Sequence, residues 1–276
     1  MGDKDDLNEQ VKPPLVKAIA IFDIDGVVRD VGGSYRRALA DTVEHFTVGA
    51  YRPTQTDIDI LKSEGIWNND WEGSQELIYR YFEAQGQQRT QQLNYDSIVA
   101  FFQSRYRGTD PNRFTGYICH EPLLLQPRYL EQLSAAGILW GFFSGATRAS
   151  ANYVLEKRLG LKSPVLIAME DAPGKPDPTG LLATVRQLEQ QHQVSNIPII
   201  YVGDTVADMY TVEKAKLGWR DRTFIGVGIL PPHVLEIPER RHAYTDSLKA
   251  AGATVIFSNV EELTPAQIQN LVASHT

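Results

Sequence analysis

One cysteine, Cys119, stands among the 276 residues, which excludes an intramolecular disulfide and a thiolate metal cluster and fits a reducing compartment. Long apolar runs are missing too: no stretch approaches the roughly 18 residues that a bilayer span requires. The segment from Met1 to Pro14 is polar and charged rather than signal-like. That leader (1–14) is expected to be disordered, and the chain to be cytoplasmic with no membrane partner. Basic residues are outnumbered, 27 Lys and Arg against 34 Asp and Glu, for a net charge of −7. Nucleic acid is therefore an unfavourable partner, because its binding rests on clustered cations. Arg36-Arg37, Arg220 with Arg222, and Arg240-Arg241 read as isolated, solvated clusters. The six histidines show no metal-ligand spacing, and Cys119-His120-Glu121 is a poor thiol site because neighbours on an extended segment face opposite ways.

What is present is a 42% hydrophobic chain, large enough for one elaborated domain or two. Its apolar residues fall in short runs that stop abruptly on polar groups. Ala18 to Phe22 ends on Asp23-Ile24-Asp25-Gly26, and Ile138 to Phe143 ends on Ser144-Gly145. Val165 to Met169 leads to Gly174-Lys175-Pro176, and Ile197 to Val202 leads to Gly203-Asp204 with Asp208 four residues on. Helical patterns at Ala149 to Leu159 and Thr179 to His192 lie between these runs, and Thr223 to Leu230 and Ala253 to Ser258 read as two further strands. Strands alternating with helices imply βαβ units, so the expected fold is α/β, a Rossmann-like doubly wound parallel sheet of about six strands. Ligands of such sheets bind beyond the carboxyl ends of the strands, where these polar groups stand.

One region breaks the alternation. Between Val31 and Glu121 there is no buried strand pattern, only the amphipathic stretches Ser34 to Phe46, Thr54 to Glu64, Trp71 to Gln85 and Tyr95 to Arg105, with Ser34 and Thr54 placed as N-caps. The expected organisation is a core of residues 15–30 and 123–276 carrying an inserted all-helical domain over residues 31–122.

In this order the four strand-end motifs resemble those of the haloacid dehalogenase superfamily: Asp23-x-Asp25-Gly26, Ser144-Gly145, Lys175-Pro176, and Gly203-Asp204 with Asp208. The resemblance spans about Ala18 to Val260. An insertion between the first two motifs resembles the helical cap of subclass I, while Ser144 to Lys175 leaves room for one helix and one strand, too little for a second cap. The resemblance implies Mg²⁺-dependent hydrolysis of a small phosphorylated metabolite through an aspartyl-phosphate. In it Asp23 is the nucleophile, Asp25 the general acid and base, Ser144 and Gly145 hold phosphate, and Lys175 balances charge. The metal set implied is Asp23, Asp25, Asp204 and Asp208, with Asp23, Asp204 and the Asp25 backbone carbonyl as direct ligands. A divalent cation is also demanded physically: a like-charge pair at 4 Å costs about 4 kcal/mol at an effective dielectric of 20, so a phosphate dianion cannot otherwise join these carboxylates.

Each element also has a plainer reading on its own. Lys175 suits an exposed turn, Ser144 a helix cap, Asp208 a first-turn acid, and Asp30 a cap or hinge. The loop Trp67 to Trp71 either reads the substrate through Asn68, Asn69 and Trp71, or merely caps the next helix with Asp70 while its tryptophans pack inward. A sugar-phosphate phosphomutase needs the same motifs and is the alternative to a phosphatase. A silent binding protein is disfavoured because no motif residue is missing. Dehalogenases and phosphonate hydrolases are disfavoured by Asp25.

Overall fold

The computed structural model describes residues 15–87, 89, 93–110 and 113–275, and the leader expected over 1–14 lies outside them. Six strands, β1 (Ala18–Phe22), β2 (Ile138–Phe143), β3 (Leu166–Ile167), β4 (Ile199–Gly203), β5 (Phe224–Ile229) and β6 (Val255–Phe257), form one sheet in the order β3-β2-β1-β4-β5-β6. Every pairing is parallel, and the register sets Phe22 of β1 beside Phe142 of β2 and Val202 of β4. This is the expected α/β Rossmann-like arrangement. The chain reverses direction of growth at β1, so the loops after β1 and β4 diverge around a crevice at the centre of the sheet.

Between β1 and β2 come α1 (Tyr35–Phe46), α2 (Gln55–Ser63), α3 (Asp70–Ala84) and α4 (Tyr95–Tyr106). The core helices follow: α5 (Pro127–Ala135), α6 (Arg148–Asn152), α7 (Thr179–His192), α8 (Val206–Gly218), α9 (Pro232–Leu235), α10 (Pro238–Ala250) and α11 (Pro265–Ala273). The stretch expected to be one helix from Ala149 to Leu159 is α6 continued by a wider π-turn at Tyr153–Arg158. β3 keeps only two paired residues of the expected run, because at the sheet edge Met169 turns away to donate its amide to the Ala146 carbonyl.

Alternation along the strands divides the core. Ala18, Ala20 and Phe22 face one layer with Phe142, Ile200 and Val202, under Leu130, Leu133 and Ile268. Ile19 and Ile21 face the other, with Tyr201 and Phe143, under Leu181, Val185 and Val212. Because both faces are covered, the strands carry almost no polar side chain until their carboxyl ends.

The four helices of the insertion bury a separate cluster in which Leu39, Val43, Ile58, Leu61, Ile78, Phe102 and Tyr106 are fully enclosed. Thr54 caps α2 reciprocally with Asp57 as expected. Ser34 precedes α1 but makes no side-chain cap; its hydroxyl is drawn instead to the buried Glu121 carboxylate, 2.5 Å away. Phe102→Ala is expected to destabilise the protein by about 3–5 kcal/mol, since it opens a void in this cluster, and denaturant unfolding measures it. A loss under about 1 kcal/mol would mean the helices do not depend on a packed centre of their own.

Candidate active site

The loop after β1 turns sharply at Gly26, whose φ is +74° and whose Cα faces Asp204 so closely that an added Cβ would lie 2.1 Å from Oδ2. Glycine is required there on both counts. The turn leaves Asp23 buried, its Oδ1 accepting the Ile24 amide at 2.7 Å and its Oδ2 paired with Lys175 Nζ at 2.9 Å. Lys175 is not an exposed turn lysine: it is 4% exposed and lies also 2.6 Å from Asp208 Oδ1. Asp208 sits at the third position of α8, where Thr205 caps the helix and donates to its Oδ2 from both amide and hydroxyl, while Tyr201 donates to Oδ1 at 2.9 Å. Both oxygens of Asp208 are thus engaged. Asp204 differs: it is 8% exposed, and among the described residues no hydrogen bond or ion pair reaches its carboxylate.

Oxygens of Asp23, Asp204 and Asp208 lie within 4.8 Å of one another. Three carboxylates facing one ammonium leave the cluster short of positive charge. Burial pushes Asp23 up to about 7, Asp208 and Asp25 push the same way, and Lys175 opposes them. Burial and the neighbouring Asp208 and Asp23 likewise raise Asp204 well above the carboxylate range. Burial works against charge on Lys175, but Asp208 and Asp23 outweigh it and hold the ammonium protonated. Hard oxygen donors, one carboxylate of them without a hydrogen bond or ion pair among the described residues, with an excess of negative charge are what a divalent cation fits.

Ser144 follows β2 and is buried, and its Oγ accepts the Ala146 amide at 3.1 Å. The insertion closes over this end of the sheet. One cleft joins Asp23, Asp25 and Asp204 to Tyr35, Arg36, Lys62, Asp70 and Trp71, and a second joins Ser144, Gly145 and Lys175 to Glu72 and Ile66. Asn68, Asn69, Gly145 and Met169 border both clefts. The insertion touches the core closely at this boundary: a Cβ added to Gly145 would lie 3.1 Å from Asn68 Nδ2. The loop is held by Lys62, whose Nζ donates to the Trp67 carbonyl at 2.8 Å and pairs with Asp70 at 2.7 Å. The cap of α3 is Asn69, which accepts the Trp71 amide, not Asp70. Trp71 Nε1 is buried beside the cleft and has no hydrogen-bond partner among the described residues. Cys119 takes no part: it lies in a 3₁₀ turn, Tyr117–His120, rather than an extended segment, and its thiol donates to the Phe114 carbonyl.

Residues 17–216 match the family model described as haloacid dehalogenase-like hydrolase, and the chain belongs to that family of hydrolases. Among solved structures it is similar to a phosphonoacetaldehyde hydrolase like protein from Oleispira antarctica, at 16% identity and TM-score 0.62 over 96% of either chain. A phosphatase from Thermococcus thioreducens is similar at 24% identity and TM-score 0.55, over 82% of this chain and 99% of the other. By sequence the chain is 28% identical to an imidazoleglycerol-phosphate dehydratase of Phytophthora nicotianae, over 86% of its own length but 49% of that protein. It spans about half the length of that relative.

Arg36 and Arg240 are not solvated clusters. Arg36 is 7% exposed, and both converge on Asp59 of α2, joined by His233 Nε2 at 3.1 Å. Arg36 was legible as an inward residue, because it precedes Leu39, Ala40 and Val43 by helical spacings of three, four and seven. Arg240 and His233 belong to the core, so Asp59 fastens α2 of the insertion to α9 and α10. Burial raises the Asp59 pKa, yet His233, Arg36 and Arg240 outweigh burial and bring it from 3.8 to about 2. A depressed folded value adds stability above the unfolded pKa, and that stability disappears as pH falls from about 4 through 2. Asp59→Asn is expected to destabilise the protein at neutral pH and to flatten this acid limb. The gap between variant and wild type should narrow by about 2 kcal/mol from pH 5 to pH 1 in urea unfolding. Parallel curves would show that the clasp is not ionic.

Proposed function

We propose that this hydrolase cleaves a small phosphomonoester, with Mg²⁺ as its cation and Asp23 as nucleophile. The observation that carries the reading is the wedge of Lys175 between Asp23 and Asp208, with the Asp204 carboxylate alongside and Asp23, Asp25 and Asp204 lining the cleft. When bound, the cation neutralises part of the substrate's charge and of the carboxylates around it. Asp23 and Asp204, with the Asp25 carbonyl, would hold it. Asp208, whose oxygens already serve Lys175, Thr205 and Tyr201, supports the set by fixing Lys175.

In the reaction an Asp23 carboxylate oxygen attacks phosphorus as the ester P–O bond breaks, and Asp25 delivers a proton to the departing oxygen. The second half reverses the proton's path: Asp25 takes a proton from water, the resulting hydroxide oxygen bonds to phosphorus, and the Asp23 carboxylate and inorganic phosphate are released. Ser144 and Gly145 hold phosphoryl oxygens, and Lys175 offsets charge that grows on them. Residues 31–122 act as a cap that excludes water while this happens. Asn68, Asn69 and Trp71 supply selectivity, since all three line the cleft above Asp23 and Asp25.

A screen of phosphorylated metabolites with Mg²⁺, scored by phosphate release, tests the reaction class; imidazole-bearing phosphates belong in it because of the Phytophthora relative. Net isomerisation of a sugar phosphate without phosphate release would point to a mutase instead. Asp23→Asn is expected to lower kcat by about a thousandfold or more with melting temperature preserved, and retention of more than about a tenth would remove Asp23 as nucleophile. Calorimetry with Mg²⁺ should find binding weakened by about tenfold or more in Asp204→Ala. An unchanged dissociation constant would place the metal elsewhere.

A further inference from the structure

The largest fully buried side chain among the described residues is a charged one, Arg29, at 0% exposure. Its position is unusual in a second respect, because it joins the first catalytic loop to both chain crossings of the insertion. Its Nε donates to Asp25 Oδ1 at 2.6 Å, and Nη2 lies 2.5 Å from the same oxygen. On its other side Nη1 donates to Glu121 Oε2 at 2.9 Å, and that carboxylate is itself fully enclosed. Ser34, at the start of α1, donates to the second Glu121 oxygen at 2.5 Å. The rings of Tyr35 and Tyr106 flank the guanidinium at 5.9 and 5.7 Å.

The backbone around this group forms a short ladder. Arg29 bridges Leu123 in antiparallel fashion, the Asp30 amide donates to the Pro122 carbonyl at 2.9 Å, and the Leu124 amide to the Val28 carbonyl at 2.8 Å. The outgoing and returning crossings therefore run side by side, and Arg29 lies between them and Asp25. A buried guanidinium is costly unless its partners are fixed, and here each partner is a carboxylate in a different functional place. Asp25 alone is partly exposed, with 26% of its side chain open to the cleft.

We infer that Arg29, anchored by Glu121 and Ser34, is a positioning residue that aims the Asp25 carboxyl at the leaving oxygen and ties that aim to the seating of the insertion on the core. The inference rests on the reading of Asp25 as the general acid. A planar guanidinium clamping one oxygen of Asp25 leaves the other directed into the cleft, and any shift of the two crossings is transmitted through Glu121 to the clamp.

The test compares kcat/KM for glycerol phosphate, whose alkoxide leaving group needs a proton, with that for 4-nitrophenyl phosphate, whose phenolate departs without one. This parameter reports the transfer to Asp23 rather than later hydrolysis. Asp25→Asn should lower the alkyl-to-aryl ratio by about a hundredfold. Arg29→Lys, which keeps charge but loses the fork, and Glu121→Gln, which keeps volume but loosens the anchor, should each lower the same ratio by about tenfold or more. Equal proportional losses on both esters in these two variants would reduce Arg29 to a structural residue and overturn the inference alone. An unchanged ratio in Asp25→Asn would remove the acid itself, and the inference with it. Should Arg29→Lys fail to fold, Glu121→Gln decides, because it leaves the guanidinium and Asp25 in place.

Discussion

Lys175 is enclosed between Asp23 and Asp208, and the arrangement of the catalytic end follows from that enclosure. A parallel sheet covered on both faces offers no room for charge along its strands, so every ionic group must wait for the strand ends. There the carboxylates of two adjacent loops meet, and the third loop supplies the ammonium between them. Tyr201 and Thr205 have their donors directed at Asp208 because an unfixed carboxylate in such surroundings would lose more by desolvation than it gains from one ammonium. Asp204 is the complement of this arrangement: among the described residues no hydrogen bond or ion pair reaches its carboxylate, which is the feature the proposed cation would use.

The insertion obeys a different logic. Its helices enclose an apolar cluster of their own, and their attachments to the core include several polar ones beside the aromatic contact of Phe114 with Tyr153. Asp59 meets two core side chains on one flank, Glu121 joins Ser34 to Arg29 at the crossings, and Asn68 lies against Gly145 of the loop after β2. Ionic and hydrogen-bonded contacts are less demanding of shape than interdigitated side chains, which would suit the proposed cap.

The sheet was legible because buried parallel strands announce themselves as apolar runs and because their ends are marked by Asp23, Ser144, Lys175 and Asp204. Lys175 could be placed only through its company; Gly174-Lys175-Pro176 alone describes an exposed turn as well as a buried ion pair. What stayed hidden depended on partners far apart in the chain. Arg29 bonds Glu121 across 92 positions, and Asp59 reaches His233 across 174, distances over which a pattern of spacing carries no information. Ser34 shows the same limit at short range, since its cap function was displaced by a residue 87 positions away. Asn69 and Asp70 were exchanged in their roles because both residue types cap helices, and only the backbone angle at Asn69 decides between them.

The ladder that pairs Arg29 with Leu123 has one more implication, for how such a molecule is assembled and altered. Leaving and rejoining the sheet at neighbouring points, the helices form a closed excursion whose ends are already held together by main-chain bonds. Whatever length of chain lies inside that excursion, the sheet sees the same two anchored ends, and each doubling of the loop adds only about 0.6 kcal/mol of closure entropy. The excursion is therefore interchangeable in principle: a different set of helices, entering through the same pair of crossings, would inherit an intact catalytic floor and alter only the ceiling.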